Sequence, residues 1–102
     1  MISGSIFDVV VDIRKNSKNF GKWLSFNLSS ENSLQLWIPR GYAHGFLSLE
    51  NNTQVFYKTD NFYSKEDSIC IDYNDASLCI DWPIENPILS DNDNNAIKFS
   101  EL

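Results

Sequence analysis

The chain has 102 residues, 42% of them hydrophobic and 14% aromatic. That composition can form a globular core and is unlike that of a disordered segment. The formal net charge of −6 argues against nucleic-acid binding, which depends on basic surfaces. The sequence contains no run of about 18 apolar residues and no signal-peptide pattern at its start. We therefore expect one cytoplasmic domain over residues 1–102, with no nucleic-acid or membrane partner.

Alternation of apolar and polar residues dominates the chain, which is typical of half-buried β-strands. The first such strand covers residues 7–14, where Asp8, Asp12 and Arg14 face away from the apolar residues. The elements predicted after it are a polar loop over 15–21, a strand over 24–28, a turn over 29–33, a strand over 34–38, a turn over 39–41, extended residues over 46–49, a break over 50–53, a strand over 54–58, short strands over 69–73 and 78–82, and one helical turn near 90–94. Short strands separated by Gly, Asn and Pro predict an all-β fold, an antiparallel jelly roll.

The two cysteines, Cys70 and Cys79, fall on separate predicted strands and have no CxxC spacing. With only one histidine in the chain they cannot complete a zinc site, so we predict no metal. We also expect no other cofactor. A cytoplasmic location favours two reduced thiols, and a structural disulfide between them is the alternative.

The only histidine, His44, lies close to Gly41 and Gly45. A lone histidine in a strand is commonly structural, because the fold satisfies both ring nitrogens. The neighbouring glycines allow a tight turn and the close approach of another molecule, which favours a functional imidazole. The sequence leaves both interpretations open.

Three further side chains are candidates for chemistry. Tyr57 is either a core tyrosine or a general acid that gives a proton to a carbanion or enolate. Tyr63 follows Phe62 in a predicted loop, where it either anchors the loop or stacks on a base or sugar. Asp93 is typical of a turn or cap, and only a histidine beside it in space would make it catalytic.

Longer strings resemble one family, the dTDP-4-dehydrorhamnose 3,5-epimerases. In chain order these strings are IFDVVVDIRKNSKNFGKW, LSSENSLQLWIPRGYAHGFLSL, VFYKTDNFYS, YND, IDWPIENPILS and LSDND. The resemblance implies a cupin-type antiparallel jelly roll, also called a double-stranded β-helix. It also implies a metal-independent isomerase that epimerises C3 and C5 of dTDP-4-keto-6-deoxyglucose in dTDP-L-rhamnose biosynthesis, a route to surface polysaccharide.

The same resemblance assigns roles to individual residues. His44 matches a histidine that contacts the substrate, and Tyr57 matches the tyrosine acid. Tyr63 matches the tyrosine that stacks on the thymine nucleotide, and Asp93 matches the aspartate that orients the catalytic histidine. In the family that histidine lies in an RGLHFQ-like segment and is followed by a lysine, both before the part that Met1 matches.

The resemblance therefore implies a jelly roll that is incomplete at the N-terminus, with the catalytic base supplied from elsewhere. The expected ligand is a dTDP-4-keto-6-deoxy sugar. The expected protein partner is a second copy in a homodimer or a complementing N-terminal fragment. The alternative is a non-catalytic jelly-roll module that binds a nucleotide sugar or an epimerase subunit.

Overall fold

The structure is a computed structural model that describes residues 3–58, 69–84 and 87–101. Its elements are strands β1 (Ser5–Asp12), β2 (Trp23–Ser29) and β3 (Tyr42–Ser48), the one-turn helix α1 (Asp91–Asn94) and a 3-10 turn at Phe99–Glu101. The chain divides into an N-terminal unit, Met1–Phe56, and a C-terminal unit, Tyr57–Leu102. The single domain expected over residues 1–102 stays a prediction. None of the helices in the described ranges is long and apolar enough to cross a membrane.

The three strands form one antiparallel sheet in the N-terminal unit, in the order β2-β1-β3. The central strand β1 is rich in Val and Ile, whose branched side chains suit the pleated surface of a sheet. In the observed register Asp8 lies opposite both Phe26 in β2 and Phe46 in β3. Because directly paired residues project on the same side, these three side chains share one face of the sheet.

The core of this unit surrounds β1 on both faces. Ile6 lies on the face of Asp8, whereas Val9 and Val11 lie on the opposite face, and all three are buried. Burying each such aliphatic side chain contributes about 1.5–3 kcal/mol. Asp8 and Asp12 are also buried, so both carboxylates need polar partners.

The strands predicted over 7–14 and 24–28 are confirmed as β1 and β2. The extended residues predicted over 46–49 belong to a longer strand that begins at Tyr42 and includes His44. The strand predicted over 34–38 is wrong, because this segment has no ladder and exposes Leu34 and Trp37. Alternating apolar residues do not make a strand where no neighbouring backbone supplies hydrogen bonds.

The later predicted strands are reduced to single bridges or are absent. Segment 54–58 has one bridge, from Gln54 to Ser3, and segment 69–73 has one parallel bridge, from Ile71 to Ile97. Segment 78–82 forms no strand, and Cys79 has a φ of 54°, a left-handed conformation that interrupts extended backbone. The helical turn predicted near 90–94 is confirmed as α1.

Asp75 connects two segments of the C-terminal unit. Its Oδ2 accepts a hydrogen bond from the Phe99 N–H at 2.7 Å, and its Oδ1 accepts one from the Ser77 N–H at 2.8 Å. These hydrogen bonds, that from Phe99 first, hold the pKa of Asp75 below its usual value. Nearby, the Trp82 Nε1–H donates to the Tyr73 carbonyl at 2.8 Å.

Replacing Asp75 with asparagine is expected to destabilise the C-terminal unit at neutral pH, because one charged acceptor oxygen is lost. A lowered pKa means that the carboxylate stabilises the fold fully above its unfolded pKa of about 3.9. This contribution is then lost as the pH falls below that value. Urea unfolding at a series of pH values should therefore show the difference between the two proteins shrinking in acid. The exposed Asp81 provides the matched control, Asp81→Asn. If Asp75→Asn lowered the free energy of unfolding by the same amount at every pH, the stabilising role assigned to the Asp75 carboxylate would be contradicted.

Candidate active site on the Asp8 face of the sheet

A contact between β1 and β3 joins a carboxylate to the only histidine of the sequence. His44 Nε2 lies 2.6 Å from Asp8 Oδ1. His44 is paired with Val10, so its ring reaches Asp8 diagonally on the same face of the sheet. The Asp8 side chain is 5% exposed and the His44 side chain 35% exposed. The carboxylate is thus enclosed, and the imidazole keeps one edge accessible.

This geometry determines which ring nitrogen donates. A carboxylate only accepts hydrogen bonds, so the Nε2–H of His44 donates to Asp8 and leaves Nδ1 for a second partner. The carboxylate also fixes the ring orientation and balances the charge of an imidazolium. A ring held in this way can accept a proton at Nδ1, and the resulting imidazolium can donate a hydrogen bond from Nδ1–H to developing negative charge.

Aromatic side chains border the Asp8–His44 pair. The ring centroid of Phe46 lies 6.0 Å from that of His44, and Phe26 is paired directly with Asp8. Both phenylalanines are exposed, so they give the site an accessible apolar border. Less polar surroundings strengthen the hydrogen bonds and charge interactions of such a pair compared with water.

The predicted site residues are distributed over both units. In the N-terminal unit, Gly41 has a φ of 90°, which confirms the tight turn predicted before His44. In the C-terminal unit, Tyr57 is 74% exposed, so the alternative of a core tyrosine is wrong. Asp93 is exposed in α1, and its N–H donates to Ser90 Oγ at 3.2 Å. Tyr63 lies outside the described residues.

Sequence reasoning did not select Asp8 as a site residue, although a signal was available. A carboxylate between Phe7 and Val9 in the most apolar predicted strand is costly to bury unless a partner satisfies it. The partner is His44 on β3. The pairing register that places it next to Asp8 cannot be read from the sequence.

The two cysteines are both free thiols, as predicted. Within residues 3–58, 69–84 and 87–101, no group of three or more His, Cys, Asp or Glu side chains is arranged to hold a metal ion. The absence of a metal and of any other cofactor stays a prediction.

The whole-chain comparisons agree with one another. A family model described as dTDP-4-dehydrorhamnose 3,5-epimerase matches residues 1–101. The dTDP-4-dehydrorhamnose 3,5-epimerase of Shigella flexneri is 54% identical over 98 residues, which cover 96% of this chain and 54% of the relative. Its counterpart from Pseudomonas aeruginosa is 44% identical over 99 residues, covering 96% and 55%. The chain spans about half the length of these curated relatives.

Solved structures show the same likeness. The dTDP-4-dehydrorhamnose 3,5-epimerase of Bacillus anthracis with TDP and PPi bound superposes with a TM-score of 0.86 at 40% identity, over 95% of this chain and 55% of that one. The dTDP-6-deoxy-D-glucose-3,5-epimerase of Legionella pneumophila in complex with dTDP-4-keto-L-rhamnose gives 0.83 at 36% identity, over 97% and 53%. The predicted all-β, cupin-type jelly roll is thereby confirmed. With the family model matching nearly every residue and relatives this similar, the chain belongs to the dTDP-4-dehydrorhamnose 3,5-epimerase family of isomerases.

Proposed function

We propose that this chain supplies the substrate-contacting and proton-donating part of an epimerase that inverts C3 and C5 of dTDP-4-keto-6-deoxyglucose, in dTDP-L-rhamnose biosynthesis. The observation that carries the proposal is the Asp8–His44 pair, a buried carboxylate 2.6 Å from a partly exposed imidazole, in a chain of this family. The ligands named with the Legionella and Bacillus structures, a dTDP sugar and TDP, support a dTDP sugar as the substrate class.

The chemistry requires a base, an acid and a means to stabilise an enolate. The 4-keto group acidifies the protons at C3 and C5, because the electrons left by either proton delocalise onto the keto oxygen. A base removes the proton on one face, and an acid returns a proton on the other face. A fixed donor near the keto oxygen stabilises the intermediate charge. In this proposal the imidazolium form of His44, held by Asp8 through Nε2–H, is such a donor through Nδ1–H.

The other roles follow the family resemblance. Tyr57 is the proposed acid, and its exposure suits a hydroxyl that must reach a substrate. Tyr63 is proposed to stack on the thymine, and Asp93 to orient the catalytic histidine. That histidine is expected from an RGLHFQ-like segment, which does not occur among these 102 residues.

The test is a chimera in which this chain is joined to the part of the Shigella relative that the match leaves uncovered. In D2O the chimera should incorporate deuterium at both C3 and C5 of dTDP-4-keto-6-deoxyglucose and form the inverted product. The unjoined chain is the baseline, and it should bind dTDP without exchanging these protons. A folded chimera that binds the nucleotide sugar without exchange would overturn the catalytic proposal in favour of a non-catalytic binding module.

As protein partner we propose a second copy of the chain, with a complementing N-terminal fragment as the alternative. In the described sheet β2 is an edge strand, and it exposes Leu24 and Phe26. An edge strand with exposed apolar side chains is prone to pairing with another chain. Sedimentation should show self-association that Leu24→Lys weakens, and a monomer that associates only with the added fragment would favour the alternative.

A further inference from the structure

A second polar cluster lies where β1 ends, on the same face of the sheet as the Asp8–His44 pair. The buried carboxylate of Asp12 accepts hydrogen bonds at Oδ1 from the N–H and Nε of Arg14, at 2.9 and 3.0 Å. Its Oδ2 accepts from Arg14 Nη2 at 2.9 Å and from Ser17 Oγ at 2.6 Å. The hydrogen bonds from the Arg14 side chain, and then that from Ser17, hold the pKa of Asp12 well below its usual range. The carboxylate is thus charged and fully engaged.

The cluster also holds the first residues of β3. Arg14 Nη2 donates to Tyr42 Oη at 3.0 Å, and the guanidinium carbon lies 5.0 Å from the Tyr42 ring centroid, a cation–π distance. The Ile13 N–H donates to the Gly41 carbonyl at 3.1 Å. A Cβ added at Gly41 would lie 2.7 Å from Arg14 Cγ and 2.8 Å from its Cδ. The arginine side chain therefore fills the space beside the turn that leads into β3.

We infer that the Asp12–Arg14–Tyr42 cluster positions His44. Tyr42 and His44 are two residues apart in β3, so they project from the same face. β3 is an edge strand in the described sheet, and strand ends at an edge open more easily than the centre. A slip of one residue would turn His44 to the opposite face, and a smaller shift would lengthen its 2.6 Å contact with Asp8.

The cluster is a positioning device and does not itself touch the reacting atoms. It acts by anchoring the start of β3 to β1. The anchor consists of the Asp12–Arg14 ion pair, the hydrogen bond from Arg14 to the Tyr42 hydroxyl, and the packing of the Arg14 side chain beside Gly41. Its bearing on catalysis rests on the proposed function. Its effect on the Asp8–His44 contact can be measured on the folded chain without substrate.

The test follows the imidazole nitrogens of His44 by ¹⁵N NMR, in which the only histidine of the sequence gives a single ring. In the unaltered protein the Nε2–H should be retained as a hydrogen-bonded proton. Arg14→Met, which removes the donors and keeps the apolar stem, should speed exchange of this proton with water by about tenfold, the loss of one hydrogen bond. Arg14→Lys, which keeps the charge, should restore part of the protection.

The matched control is Leu28→Ala, which removes a buried side chain of the same sheet opposite Ile6. It should lower the free energy of unfolding and leave the His44 signal unchanged. If Leu28→Ala and Arg14→Met speed exchange of the His44 Nε2–H equally, the inference is overturned, because the effect would then be general destabilisation. If Arg14→Met does not fold, the same exchange rate is measured in Tyr42→Phe. An unchanged exchange rate of the His44 Nε2–H in that variant would also overturn the inference. A chimera inactive in proton exchange with an intact His44 signal would count against the proposed function alone.

Discussion

Replacing Tyr57 with phenylalanine in the chimera is expected to lower the rate of epimerised product formation by about 10²–10⁴-fold, the usual contribution of a positioned acid or base. The phenylalanine keeps the ring and removes only the hydroxyl proton. The base on the opposite face is untouched, so it can still remove a proton and return a solvent-derived one to the same face. Deuterium should therefore enter the sugar with retention of configuration while inversion is lost.

NMR spectra that resolve retained and inverted products at C3 and C5 measure this split directly. The matched control is Tyr73→Phe in the same unit. The Tyr73 ring packs edge-on against Trp82 at 6.2 Å between centroids, and its loss of a hydroxyl should leave product formation unchanged. Full inversion by Tyr57→Phe would show that another group returns the proton.

Substitution of either member of the Asp8–His44 pair is expected to have the next largest effect. His44→Gln removes the imidazole, and removing one donor from developing oxyanion charge typically costs about 10²–10³-fold in kcat. Asp8→Asn keeps the size of the side chain but removes the charged acceptor that holds Nε2–H, so the ring loses its fixed tautomer. Asp8→Asn should therefore approach the effect of His44→Gln, although in the proposed mechanism only His44 contacts the substrate.

A double-mutant cycle tests whether the two residues act as one unit. If Asp8 works only through His44, the double variant should be no slower than His44→Gln alone, because effects within one unit are not additive. Unfolding curves of the same proteins separate a loss of kcat from a loss of stability. The second is expected as well, since a buried carboxylate left without its partner costs about 1–3 kcal/mol. If the fold reductions in kcat of the two single variants multiply in the double variant, Asp8 has a role independent of His44.

The strands β1 and β2 could be predicted because apolar and polar residues alternate along both of them. In β1, apolar residues alternate around Asp8 and Asp12, and a strand buried on both faces brings each carboxylate against a neighbouring strand. The same alternation failed over 34–38. Leu34, Leu36 and Ile38 alternate equally well but form no ladder. Hydrogen bonds between strands, unlike those within a helix, depend on distant residues.

The candidate site divides in the same way. The sequence by itself determined the family and the turn at Gly41, because these depend on residue types and short spacings. It also singled out His44 and Tyr57 as candidates. The tertiary structure decided that His44 faces Asp8 and that Arg14 and Tyr42 anchor the start of its strand. These contacts join residues 36 and 28 positions apart. A shift of one residue in the register would reverse the faces, so only the folded sheet could select them.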